Sequence, residues 1–129
     1  MTGVRLLHVL SQRPSHTGSG MTLQALVRHG PPEQHAVVGT PRGEAVALGI
    51  DTTTVVFEEP PLDFPLPGMS DVMPYPSSRW SSLSEAQLAR YRDVWRETLA
   101  GIVARFRPDV IHSHHLWLVS RLVAEVAPD

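Results

Sequence analysis

Residues 84–115 read SEAQLARYRDVWRETLAGIVARFRPDVIHSHH, and this stretch decides the fold. Ser84 and Gln87 stand three apart at its start, the spacing at which a hydroxyl and an amide satisfy the free N–H groups of a helix start. The apolar residues Leu88, Tyr91, Trp95, Leu99, Ile102, Val103 and Phe106 then recur every three or four positions. That periodicity predicts a helix of about six turns with one buried face. Pro108 ends it, because proline removes a helical N–H and clashes with the preceding turn. Asp109-Val110-Ile111-His112 follows as a short apolar strand. A long amphipathic helix running directly into a strand is one arm of a crossover between parallel strands.

Working outward, Arg5-Leu6-Leu7-His8-Val9-Leu10 reads as a first strand that stops at the turn-prone run Ser11 to Gly20. Gly18-Ser19-Gly20 opens a helix from Met21 to His29, with Met21, Leu23, Leu26 and Val27 on one side and Gly30-Pro31-Pro32 as its stop. A second strand lies within Gln34 to Gly39. A third lies within Thr52 to Glu58, around the β-branched run Thr53 to Val56. Between these two strands, Glu44 to Gly49 has room for a turn or so of helix. After Ser113-His114-His115 comes a last helix from about Leu116 to Ala127. Strands alternating with helices predict an α/β fold with a parallel sheet flanked by helices. A crossover helix that leads to no strand is an expectation that the natural polypeptide continues past residue 129.

One stretch stands apart. Residues 59–83 hold six of the twelve prolines and no regular pattern, so a long functional or mobile loop is expected there.

Composition narrows the chemistry. At 129 residues the expectation is one domain. A formal net charge of −2 supplies no global attraction to nucleic acid, although peripheral membrane contact stays open. No run approaches the roughly 20 apolar residues of a membrane span, and a cytoplasmic location is expected. Cysteine is absent, which removes disulfides, thiolate metal sites and cysteine nucleophiles; all eleven basic residues are arginine, which removes lysine chemistry.

In an open parallel sheet, ligands bind at the carboxyl ends of the strands where the strand order reverses. Those ends are Ser11 to Gly20 and His112 to Trp117. Gly18, Ser19 and Gly20, at a helix start, offer N–H groups to an anion such as a phosphate. His114 and His115 are expected to line the crevice mouth, with His112 packed at the strand end. His16, on the first loop, and Trp117, beside the second, are further cleft candidates. Arg13 and Arg79, on loops, are better placed for anion contact than Arg90, Arg92 and Arg96 on the long helix. Trp95 belongs to the apolar stripe and is expected in the core; Trp80 stays open. His112, His114 and His115 also invite a metal reading, but no carboxylate completes the set because Asp109 precedes the strand, and no metal ligand is assigned. No Gly-x-Ser-x-Gly elbow occurs, so no serine nucleophile is assigned.

These residues resemble a known family. Arg5-Leu-Leu-His-Val-Leu with its glycine-containing loop, the proline-rich middle, and above all RPDVIHSHHLW at residues 107–117 are similar to the N-terminal half of family 4 glycosyltransferases of the GT-B fold. The resemblance implies a Rossmann-like N-terminal, acceptor-side domain over residues 1–129, with the C-terminal donor-binding domain absent. It places Gly18 and Gly20 near the donor phosphates and makes His114 and His115 candidates for acceptor or donor contacts. It implies retaining transfer of a sugar from a nucleotide-sugar to an acceptor hydroxyl, with no cofactor beyond that donor, and a fragment inactive alone. The catalytic residue is left unassigned, because the family's later histidine and acidic pair have no counterpart here. Two other readings remain: a binding module that uses the proline-rich loop as its contact surface, and a small metal-dependent hydrolase centred on the histidine run.

Overall fold

The computed structural model describes residues 3–15, 17–68, 70, 72–114 and 118–128. Strands β1 (Arg5–Leu10), β2 (Glu33–Pro41), β3 (Asp51–Phe57) and β4 (Val110–Ser113) form one all-parallel sheet in the order β3-β2-β1-β4. Helices α1 (Gly18–Arg28), α2 (Glu85–Phe106) and α3 (Leu118–Val126) flank it. The architecture is Rossmann-like α/β: successive strands step outward from β1 to β3, and the chain then returns to lay β4 on the other side of β1.

Alternation along the strands assigns each helix to a face, because successive side chains of a strand point to opposite sides. Leu7, Val9, Val37, Val55 and Phe57 share a core with Tyr91, Trp95, Leu99 and Ile102 of α2 and Val119 and Leu122 of α3. Leu10, Ala36 and Val38 face the other way, against Leu23 and Val27 of α1. The expected apolar stripe of α2 is the buried one, and Trp95 is wholly enclosed in it. Ser84 and Gln87 form the capping box, with Ser84 Oγ accepting from Gln87 N at 3.1 Å and Gln87 Oε1 from Ser84 N at 2.8 Å. At the far end Arg107 takes the left-handed conformation (φ 52°) just before Pro108. β4 is then stitched to β1 by Asp109, whose Oδ2 accepts from Arg5 N at 2.9 Å.

Helix α1 starts with the glycines, at Gly18, and Thr17 caps it: its hydroxyl accepts from Gly20 N at 3.0 Å. Two expectations are corrected. Residues 44–49 form no helical turn; Val46 and Leu48, with Ile50 just after them, pack on the α1-side core. The proline-rich stretch is part of the fold. Leu62, Phe64 and Leu66 are buried in the α2-side core, paired backbone groups join Glu59 to Leu62 and Pro67 to Ser78, and a short 3-10 turn spans Trp80–Ser82. Proline spacing hid this, since it excludes a regular element without excluding alternate inward side chains.

Candidate functional site

The strand order reverses beside β1, which puts the carboxyl ends of β1 and β4 side by side, the position at which open parallel sheets hold ligands. His114 N donates to Val9 O at 3.0 Å and extends the pairing one residue beyond β4.

The loop after β1 is tied down on three sides. Gln12 is buried and donates its side-chain amide to Pro67 O at 2.9 Å. Arg13 forms an ion pair with Glu44, donates to Ser15 Oγ at 3.1 Å and stacks over the ring of Tyr75 at 4.5 Å. Ser15 Oγ donates to the same Glu44 oxygen at 2.8 Å. The expected anion contact of Arg13 is therefore replaced by a structural one: its guanidinium joins the loop to residues 42–50 and to the proline-rich segment. Arg79 is exposed, and Arg90 and Arg96 make surface ion pairs with Asp63, Asp93 and Glu125.

The glycine turn divides into two roles. A Cβ on Gly20 would stand 1.7 Å from Pro14 O, so the loop can close over the helix only if residue 20 has no side chain. Its N–H is already held by Thr17. Gly18 is exposed, and a Cβ there would meet nothing within 4 Å. The first-turn N–H groups of Gly18 and Ser19 have no acceptor within the helix, and they sit at its positive end.

The histidines are arranged differently from the sequence reading. His8 and His112 are partners in the parallel register, so both side chains lie on the α1 face, and His114, two residues on, returns to that face. His8 is fully buried, His112 is exposed instead of packed at the strand end, and His114 is half-buried. The His112 and His114 rings stack at 4.4 Å, while the His8 ring centroid is 6.4 Å from that of His112 and 6.5 Å from that of His114. One ring nitrogen from each of the three lies within 4.8 Å of the others. Burial pulls the His8 pKa below the ordinary 6.5, with the Gln34 hydrogen bond opposing and His112 adding to the shift. His8 escaped the sequence reading because a single histidine in an apolar strand carries no motif; the register with His112 was the signal, and that requires knowing that β1 and β4 are neighbours.

His16, His115 and Trp117 lie outside the described residues. Trp80 packs edge-on against Tyr91, with ring centroids 5.2 Å apart, which joins it as a half-buried side chain to the α2-side core. Among the described residues, no helix is long and apolar enough to cross a membrane.

No protein-family model matches this chain, and neither a curated protein nor a solved structure matches it.

Proposed function

We propose that this chain is the acceptor-side half of a nucleotide-sugar-dependent glycosyltransferase, whose donor-binding half is a C-terminal domain. One observation supports the reading: the carboxyl ends of β1 and β4, from which the glycine-containing stretch and the His112-Ser113-His114 run follow in sequence, lie side by side in the sheet. Those are the two segments whose sequences resemble the family, and a crevice at a strand-order reversal is where such folds bind nucleotides.

In this reading an acceptor hydroxyl attacks the anomeric carbon, the bond to the diphosphate breaks, and negative charge develops on the leaving group. The N–H groups of Gly18 and Ser19, at a helix start, suit that charge. Gly20 serves by letting the loop close on Pro14. His114 supplies a polar contact to the sugar or the acceptor; His115, His16 and Trp117 are carried as candidates for the same role by the sequence and its family resemblance alone.

The test uses the full-length natural product, incubated with a panel of nucleotide-sugars and hydroxyl acceptors and assayed for nucleoside diphosphate release. Release with one donor supports the reading; none with any donor overturns it. The informative variant is Gly18→Asp, since that position has space for a side chain and an acidic group at a helix start favours the helix while repelling a phosphate. It is expected to keep its melting temperature and to lose about tenfold in turnover, equivalent to ~1.4 kcal/mol of lost charge stabilisation. Wild-type turnover in Gly18→Asp overturns the phosphate role.

A further inference from the structure

We propose that His8, His112 and His114 bind a divalent transition-metal ion of the zinc class, in a site created by the register of β1 against β4. The inference is independent of glycosyl transfer and goes beyond it.

The tautomer of His8 is set by Gln34. Its side-chain nitrogen donates to Val27 O at 3.0 Å and to Pro31 O at 2.8 Å, which uses both hydrogens and fixes the amide orientation. Gln34 Oε1 therefore faces His8 and can only accept, so His8 Nε2 carries the hydrogen and donates at 2.7 Å. The tautomer follows: Nδ1 of His8 is a bare lone pair. It belongs to a residue with 0% exposure and has no hydrogen-bond partner among the described residues. An acceptor buried without a donor is destabilising, and a bound cation removes that cost. A histidine whose far nitrogen is held by a fixed acceptor is also how metal-bound imidazoles are oriented.

The other two nitrogens come from a pair that the strand puts on one face. His112 and His114 are separated by one residue, and His112 is registered with His8. One ring nitrogen from each histidine lies within 4.8 Å of the others, whereas zinc–nitrogen bonds of about 2.0–2.1 Å need separations of about 3.4 Å. The set must contract on binding. His8 is locked, so the movement falls on the exposed His112 ring and the half-buried His114 ring, which rotate out of their stack. Three neutral imidazoles select zinc, cobalt, nickel or copper over magnesium or calcium, which take oxygen donors. Three protein ligands leave a fourth position for water or for an oxygen of a ligand in the crevice.

The 129-residue chain, purified without a tag and stripped with chelator, is titrated with Co2+ and then Zn2+. The expected result is one Co2+ per chain with the visible absorption of a four-coordinate ion, displaced by one equivalent of Zn2+. His112→Ala and His114→Ala are each expected to weaken binding by more than about 100-fold, the upper end of the loss seen when even an outer partner is removed. Exposed His29→Ala is expected to bind as wild type. In nitrogen NMR, Zn2+ should move the His8 Nδ1 resonance while Nε2 stays protonated. Absence of stoichiometric binding, binding that survives both the His112 and the His114 substitutions, or an unmoved His8 Nδ1 resonance would each overturn the proposal.

Discussion

The two faces of the sheet are built on different principles. Among the described residues, the face under α2 and α3 gathers fourteen buried apolar residues, including Trp95, Tyr91 and Phe57, into one cluster. The face under α1 gathers five, the largest a leucine, and beside them buries His8 and Gln34 in a hydrogen-bonded chain. Apolar burial supplies most folding free energy, at about 25 cal/mol per Å². The α2 face therefore carries the stability. The α1 face, with less apolar area and more directional bonds, is the one that can hold a polar ligand. Both candidate elements, the α1 start and the histidine set, lie there.

Breaking the large face should have the largest consequence. Trp95→Ala removes a wholly enclosed indole that touches the ring of Tyr91, and is expected to cost about 3–5 kcal/mol, read as a lower urea midpoint. A loss under 1 kcal/mol would mean that this face is not the main source of stability.

On the small face, Gln34→Leu tests whether a polar chain takes the place of apolar bulk. It leaves His8 Nε2–H, Val27 O and Pro31 O without their partner, and is expected to cost about 1–3 kcal/mol by the same denaturant measurement. An unchanged midpoint would show that the hydrogen-bonded chain adds nothing to stability.

The smallest effect sharpens the comparison through pH. His35 lies on the α2 face, its ring 5.7 Å from that of Phe106, with its Nε2 at 2.8 Å from Thr53 Oγ1. Burial lowers its pKa from the ordinary 6.5; Asp51 pulls it up and Arg105 pushes it down. The unfolded chain thus takes up this proton first as the pH falls. The contribution of neutral His35 to stability is whole above pH 6.5 and is lost as the pH falls from there through the folded value. His35→Gln, which retains a partner for Thr53, should make the decline of stability between pH 7 and pH 5 shallower. An identical slope would show that His35 titrates alike in both states.

Legibility followed the range of the interaction. Capping at Ser84, the stripe from Leu88 to Phe106 and the breaker at Pro108 act within a few residues of one another, so α2 and the strand after it stand where the spacing predicts. The inward turn of Leu62, Phe64 and Leu66 could not be read the same way, because nothing local in a proline-rich stretch says which side meets a sheet. Arg13 is a second instance: on a loop it suggests an anion contact, and only folding brings Glu44 and Tyr75 to it.

By itself, the sequence determined the α/β class, the identity and extent of the long helix, and the placement of apolar residues on one side of it. Periodicity and capping are local, and local chemistry does not wait for the fold. Only the tertiary structure decided that Gly20 is required by Pro14, that Leu62, Phe64 and Leu66 belong to the core, and that His8 joins His112 and His114. Those pairings join segments up to about a hundred residues apart, and their geometry exists only once parallel strands have settled into one register.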